Sequence, residues 1–224
     1  MAESLPLSLC IITRDAAHEL PGCIESARFA ADTVVVDSGS HDDTVEVAQR
    51  LGARVIDHPF EGFGAQKQFA VAAAQHDWVL CLDADERVTP ELALQIAQVF
   101  ARDNPGASAF AVARRNRFLG RWLNHGDGYP DWNVRLFDRR WARWSDDAVH
   151  ERVIVDGHAA RIGGDLLHAS AESLTDYIAK QNRYTTLQAA AMHRAGRSAG
   201  FAQIALAPLA RFTRLYFFRL GFLD

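Results

Sequence analysis

Four apolar runs in the first half of the chain are each followed by a stretch at helical spacing, and this alternation leaves few folds open. Residues 7–13 read as a strand buried on both faces, with a helix over about 19–29 behind it. Residues 33–37 form the next strand. Asp42 or Asp43 can then cap a helix over 44–51, which Gly52 stops. Strand 53–57, helix 64–75, strand 77–82 and helix 90–102 complete the series. Strands alternating with helices of about ten residues build right-handed β-α-β units and a parallel sheet. The expected class is therefore α/β, with a Rossmann-like, mostly parallel sheet flanked by helices.

After Pro105 the alternation stops. Residues 107–114, 132–137 and 151–155 look like further strands, 116–130 like a loop rich in Gly, Arg, His and Trp, and 173–194 like a long helix. No repeat or low-complexity linker divides the chain. The expected division is a Rossmann-like half over residues 1–105, a half of the same domain over 106–172 that builds a substrate cleft, and a C-terminal helical region over 173–224.

The fourth strand carries the most informative local feature. Trp78-Val-Leu-Cys-Leu82 ends in Asp83-Ala84-Asp85-Glu86. Unpaired carboxylates cost several kcal/mol or more to bury, so the cluster belongs at the carboxyl edge of the sheet, where open α/β folds bind their ligands. Carboxylate oxygens suit Mg²⁺ or Mn²⁺, which commonly bridge to substrate phosphates. The plainer alternative is a polar turn before a helix, with Asp85 or Thr89 as N-cap and Pro90 at the first helical position. Asp37 ends the second strand in the same way and can accept hydrogen bonds from a ribose or nucleobase, or simply form an Asx turn. Neither G-x-G-x-x-G nor G-x-x-x-x-G-K-[ST] is present, which argues against NAD, FAD and a P-loop.

Bulk properties narrow the class further. A formal net charge of −4 gives no sign of a nucleic-acid partner. Cys10, Cys23 and Cys81 show no pairing or metal spacing, so buried free thiols in a reducing cytoplasm are expected. The polar, acidic N-terminus shows no secretory signal. From residue 173 onward seven Lys/Arg (Lys180, Arg183, Arg194, Arg197, Arg211, Arg214, Arg219) face only two acids, Asp176 and Asp224. Arginines interleaved with Phe212, Leu215, Tyr216, Phe217, Phe218 and Phe222 suggest a helix at a membrane interface; docking on the domain or on a partner subunit is the alternative.

With these motifs in place the chain resembles family 2 glycosyltransferases. The residues carrying the likeness are Thr13-Arg14-Asp15, Val36-Asp37-Ser38-Gly39-Ser40-x-Asp42-x-Thr44, and Asp83-Ala84-Asp85-Glu86, at the ends of strands one, two and four. Gly64-Ala-Gln-Lys67, Arg135-Leu-Phe137, Val149-His150-Glu151, Gln181-x-Arg183-Tyr184 and Arg219-Leu-Gly-Phe-Leu-Asp224 extend it to the subgroup of lipopolysaccharide inner-core β-1,4-glucosyltransferases. The resemblance implies the GT-A fold with C-terminal helices. It also implies inverting, metal-dependent transfer of a hexose, glucose by expectation, from a nucleotide-diphosphate sugar such as UDP-glucose. The acceptor would be a lipopolysaccharide-core or other lipid-linked glycan at the cytoplasmic face of the inner membrane, with the enzyme peripheral to it.

The implied roles map onto named residues. Asp85 would hold Mg²⁺ or Mn²⁺, with His150 as a further metal or acceptor contact and His168 a lesser ligand candidate. Thr13, Asp15, Asp37, Asp83, Lys67 and Arg183 would bind the donor, although Lys67 on a solvated helix face is an equal alternative. Glu151 is the expected general base, with Asp131 and the pair Asp146-Asp147 behind it. Trp122, Trp132, Trp141 and Trp144 suit sugar stacking, but burial is the commoner fate of Trp. Competing readings are a nucleotidyltransferase, which would need a Gly-rich basic loop after strand one, and a non-catalytic nucleotide- or carbohydrate-binding module, which would not need Asp83, Asp85 and Glu151. A phosphatase of the haloacid dehalogenase type would place its D-x-D-x-T on strand one.

Overall fold

The computed structural model describes residues 4–102, 105–126, 128–147, 151–171 and 173–224, without the side chains of 170, 171, 176, 180, 183, 187 and 191. Two compact units emerge, one of Met1–Arg114 with Trp132–His168, the other of Arg115–Asp131 with Ala169–Asp224.

In the first unit, β1 (Leu5–Thr13), β2 (Ala30–Asp37), β3 (Arg54–Asp57) and β4 (Trp78–Asp83) are parallel. The helices between them are α1 (Leu20–Ser26), α2 (Thr44–Arg50) and α3 (Phe63–Ala72), and α4 (Pro90–Phe100) follows. Alternate residues of a strand point to opposite faces, and both faces here are covered. Leu7, Leu9, Ile11, Val35, Leu80 and Leu82 pack with Leu20, Ala48, Leu92 and Ile96 of α1, α2 and α4. Cys10, Val34, Val36, Val79 and Cys81 pack with Ala70 and Val71 of α3. This double burial explains why these strands read as unbroken apolar runs. The three cysteines are buried free thiols, as expected.

Helix α1 is shorter than expected because the Ala27 N–H turns back to the Ile24 carbonyl at 3.2 Å and closes it, releasing residues 30–32 into β2. Thr89 is the N-cap of α4, its Oγ1 accepting from the Leu92 N–H at 3.3 Å, with Pro90 at the first turn. Capping thus belongs to Thr89, and Asp85 is left for other work.

The remaining strands are β5 (Glu86–Val88), β6 (Ala109–Phe118), β7 (Arg121–Trp122), β8 (Asp131–Asp138), β9 (Ala142–Trp144), β10 (Val153–Val155) and β11 (Ala159–Ala171). Among the described residues the main sheet has nine strands in the order β3-β2-β1-β4-β8-β6-β11-β5, with β7 paired to β6. The parallel series ends at β4, whose other neighbour, β8, is antiparallel. Sequence reading missed β5, β7, β9 and β11. Strand β11 carries Arg161, two glycines, Asp165 and His168, which break any apolar period, and β5 is defined by its antiparallel pairing with β11. The segment read as a loop over 116–130 contains the end of β6 and the whole of β7.

The second unit holds that hairpin, α5 (Leu174–Arg194), α6 (Phe201–Thr213), a π-helical turn (Arg214–Phe218) and a 3-10 turn (Gly221–Leu223). Phe118 meets Tyr177 of α5 edge-on at 4.9 Å. The Asp224 carboxylate accepts from the N–H groups of Asn124 and His125 at 2.8 and 3.0 Å, and the Gly126 N–H donates to the Arg219 carbonyl.

Candidate active site

Parallel register brings the ends of β1, β2 and β4 to one edge: Thr13 stands opposite Asp37, and Ile12 opposite Asp83. The loops leaving that edge are knitted together by polar side chains. Asp37, buried, accepts from the N–H groups of Gly39 and Ser40 at 3.0 and 2.8 Å and from the Ser40 hydroxyl. Gly39 sits at φ +78°, where a side chain would strain the turn. Asp15 donates its N–H to Ser40 Oγ at 2.8 Å and accepts the His41 N–H at 2.7 Å. Thr44 Oγ1 and Asp42 Oδ2 accept the Ala16 and Ala17 N–H groups. Gln66, fully buried on α3, donates to Ser38 Oγ and to the His58 carbonyl, both at 3.0 Å. Asp37 is therefore the Asx-type anchor of its loop, whatever else it binds. A carboxylate has about four acceptor positions, and three are used. Beside it, the buried Thr13 Oγ1 has no hydrogen-bond partner among the described residues.

The second half of the site is a chain of charges. Lys67 Nζ lies 2.9 Å from both Asp83 Oδ1 and Glu151 Oε1, and 4.8 Å from the Trp144 ring centroid. Arg135 lies 3.1 Å from the other oxygen of Asp83 and 2.6 Å from Glu86 Oε1, which Arg114 also approaches at 3.5 Å. Glu86 Oε2 accepts the Asp83 N–H at 3.0 Å. Asp85 stands apart, its Oδ2 3.2 Å from His168 Nε2. The strand pairing accounts for this last contact, because β11 sets His168 opposite Glu86, next to Asp85. Gly64 lets α3 approach this closely: a Cβ there would meet the Ser145 carbonyl oxygen at 2.2 Å.

Burial by itself would raise the Asp83 carboxyl, but Arg135 and Lys67 beside it outweigh burial and hold it well below the usual carboxylate range. Burial works against the Arg135 charge too, and Glu86 and Asp83 more than restore it. Folding lowers the Asp83 value. The stabilisation is therefore complete above the unfolded carboxyl value of about 4 and is lost as pH falls through the depressed folded one. Asp32, buried beneath Arg54, Ser8 and the Gln75 N–H, shifts down for similar reasons and adds to the same slope. The urea midpoint is expected to be flat from pH 7 to about 5 and to drop steeply below about 4. In Asp83→Asn the drop should be shallower; an unaltered acid slope would show that Asp83 contributes nothing to it.

The family model for glycosyl transferase family 2 matches residues 8–157. The chain is a family 2 glycosyltransferase. The lipopolysaccharide core biosynthesis glycosyltransferase LpsC of Rhizobium meliloti (strain 1021) is 32% identical to it over 224 residues, covering 97% of this chain and 83% of the relative. The uncharacterized glycosyltransferase RT0209 of Rickettsia typhi is 29% identical over 95% of the chain and 77% of its own length. Among solved structures, mannosyl-3-phosphoglycerate synthase from Rubrobacter xylanophilus superposes with a TM-score of 0.57 at 19% identity, over 88% of this chain and 77% of that one. Glucosyl-3-phosphoglycerate synthase from Mycobacterium tuberculosis gives 0.53 at 17% identity, over 88% and 82%. The fold is that of GT-A glycosyltransferases.

In this glycosyltransferase, Thr13, Asp15, Asp37, Lys67, Asp83, Asp85 and Glu151 all fall in the first unit. Lys67 is not on a solvated helix face: it is buried on α3 between two carboxylates. Glu86 corrects a second expectation. The acidic cluster does not stay whole at the sheet edge; Glu86 enters the core because Arg135 and Arg114 pair with it. Among the tryptophans, Trp144 is buried, whereas Trp132 and Trp141 are exposed, so burial holds for only part of the set. Trp132 instead lies 4.6 Å from the Arg161 guanidinium. Asp131 begins β8 and belongs to the second unit, as does Arg183 on α5, whose side chain lies outside the described ones. His150 also lies outside the described residues. Asp146 and Asp147 are exposed. Gln66 and Arg114 were missed, and Glu86 and Trp144 were named without the cations they meet. Only the carboxylate pattern hinted that buried cations had to exist.

The donor set suits a divalent ion at Asp85 rather than at Asp83. Two cations already sit against Asp83, whereas Asp85 and His168 offer an oxygen and a nitrogen donor side by side. Among the described residues no three or more His, Cys, Asp or Glu side chains make a metal cage, and Mg²⁺ usually takes one or two carboxylates and completes its shell from water and phosphates. Asp83, Asp85, Glu86 and Glu151 against Lys67, Arg114 and Arg135 leave the cluster one negative charge in excess. A divalent cation would turn that balance positive, as a diphosphate requires.

Proposed function

We propose that the enzyme transfers a hexose, glucose by preference, from a nucleotide-diphosphate sugar to a lipopolysaccharide-core or other lipid-linked glycan, with inversion at the anomeric carbon. The observation that carries this reading is the Lys67 ammonium joining Asp83 to Glu151 at 2.9 Å on each side. It sets a donor-side carboxylate and a candidate base around one buried cation. The name of LpsC supports a lipopolysaccharide-core acceptor. The synthase from Mycobacterium tuberculosis, solved with Mn²⁺, UDP and glucosyl-3-phosphoglycerate, supports UDP-glucose as donor and a divalent ion as cofactor.

The nucleotide lies across the ends of β1 and β2, where Thr13 Oγ1 offers an unused hydroxyl and Asp37 an unused acceptor position. Asp15 keeps the two loops in register. Asp83 would bind the ribose and Lys67 the diphosphate, and the sequence likeness alone assigns Arg183 to the donor as well. Asp85 and His168, with His150, would hold Mg²⁺ or Mn²⁺, which when bound neutralises charge on the departing diphosphate. Residues 106–172 supply the acceptor side. Glu151 takes the proton from the acceptor hydroxyl as its oxygen bonds to the anomeric carbon; the bond to the diphosphate breaks on the opposite face and its electron pair leaves with the phosphate. The enzyme works peripherally at the cytoplasmic face of the membrane.

The test is thermal shift with UDP-glucose, other nucleotide sugars and UDP, each with and without Mn²⁺ or Mg²⁺. A donor at a hundred times its Kd stabilises by about 2.7 kcal/mol, or about 5–10 °C for a chain of this size. Asp85→Ala should lose the metal-dependent part of that shift while keeping its own melting temperature. If no nucleotide diphosphate stabilises the parent with either ion, the reading fails.

A further inference from the structure

The second unit contains a histidine–carboxylate pair that the transfer chemistry does not use. His125 Nδ1 lies 3.0 Å from Asp224 Oδ1, and the same carboxylate accepts the N–H groups of Asn124 at 2.8 Å and His125 at 3.0 Å. The ring keeps solvent contact, with 31% of its side chain exposed against 10% for Asp224. Burial by itself would raise the Asp224 carboxyl, but the Asn124 N–H and the His125 ring and N–H outweigh it and hold it below the ordinary value. An ionised carboxylate can only accept hydrogen bonds, so Nδ1 carries the ring proton. In the neutral imidazole Nε2 is then a bare acceptor. Among the described residues nothing bonds to Nε2.

The loop carrying the ring is pinned from several sides. The Leu123 N–H donates to the Asn116 carbonyl at 2.9 Å, Asn116 Nδ2 to the Gly128 carbonyl at 3.0 Å, and the Gly126 N–H to the Arg219 carbonyl at 2.9 Å. Arg115 donates to Asn124 Oδ1 and lies 5.8 Å from the Tyr129 ring centroid, which ties that aromatic ring to the same loop. A surface held this firmly before binding loses little freedom when a ligand arrives. The chemistry of Nε2 selects the ligand. A phosphate or carboxylate would need a donor where the ring offers a lone pair, and would face the negative Asp224 behind it. A metal ion would need further ligands, and among the described residues no three or more His, Cys, Asp or Glu side chains could hold one. A hydroxyl brings its own proton to the lone pair, and a half-buried aromatic ring nearby suits the apolar face of a sugar.

We propose that His125 Nε2 accepts a hydroxyl of the acceptor glycan, and that Asp224 is the positioning residue that fixes the ring for it. This deepens the proposed function by naming a residue that selects the acceptor, and it rests on that reading for the identity of the glycan.

The test is nitrogen NMR of the imidazole rings in the full chain, at about pH 8, where an ordinary imidazole is neutral. His125 is assigned among the nine histidines by its loss in His125→Phe. The parent should show the proton on Nδ1, and adding a deacylated lipopolysaccharide-core oligosaccharide, with and without UDP, should move the Nε2 resonance. His125→Phe, which keeps a ring and removes the acceptor, should weaken oligosaccharide binding about tenfold, the worth of one good hydrogen bond. In Asp224→Asn an amide nitrogen replaces one of the two accepting oxygens. The Nδ1 preference should be lost, with a similar fall in oligosaccharide affinity and an unchanged UDP thermal shift, a pattern that mere loosening of the loop would not give. A parent ring protonated at Nε2, oligosaccharide binding that leaves His125 unmoved, or no oligosaccharide binding overturns the inference. Inorganic phosphate that moves the ring as strongly gives the site to an anion and overturns it too. The UDP thermal shift of the parent separates the two ideas: a shift without oligosaccharide binding sinks only this one, and oligosaccharide binding at His125 without a shift sinks only the glycosyl-transfer reading.

Discussion

Glu151→Gln is expected to bind the donor as the parent does and to lose transfer by about 10²–10⁴-fold, the usual contribution of a positioned base. Gln keeps an oxygen that can accept from Lys67, and Lys67 keeps Asp83 as an ionic partner at 2.9 Å, so the donor side of the site should survive. The loss should appear in kcat with KM for the donor little changed, because the proton leaves the acceptor only as the new bond forms. Initial rates with a lipid-linked acceptor, together with the metal-dependent thermal shift, check both halves of the expectation. Full transfer in this variant would take the base role from Glu151 and pass it to Asp131 or Asp147.

Arg135→Ala is expected to cost about 3–5 kcal/mol of folding stability. The guanidinium is 4% exposed and is the closest cation to Glu86, which is itself fully buried. Without it the cations left beside them among the described residues are Arg114 at 3.5 Å from Glu86 and Lys67 at 2.9 Å from Asp83. Against a total stability of about 5–15 kcal/mol for a native protein, that is a large fraction, and the urea midpoint would show it directly. The pair Arg135→Met with Glu86→Gln should recover part of the loss, since it removes both charges while leaving an acceptor for the Asp83 N–H. If the double variant were as unstable as Arg135→Ala, the cost would lie in packing around Trp144 rather than in an abandoned charge.

How much of this was legible beforehand differs between the two ends of the chain. The parallel half could be read because each of its strands is covered on both faces by helices, which makes the strands continuous apolar runs and the helices periodic. Asp37 and Asp83 stood out for a related reason: a carboxylate at the end of a buried strand has to be at an edge or be paired. Beyond β4 that logic weakens. Strand β11 is mixed in character, and its place is set by the neighbours it pairs with, so no local pattern announced it or the meeting of His168 with Asp85. Glu86 misled for the same reason: its partner Arg135 is 49 residues away, and only that partner makes its burial tolerable.

The amino-acid sequence alone determined the fold class, the family, the strand ends that carry the carboxylates, and the apolar, basic character of residues 201–223. These rest on local periodicity and composition, which need no neighbour to be read. Only the tertiary structure decided which charge answers which: that Lys67 joins Asp83 to Glu151, that Arg135 draws Glu86 into the core, and that Asp85 is left with His168. Ion pairing is a property of distance and burial, and the partners are brought together across scores of residues by the sheet, not by anything adjacent to them in the chain.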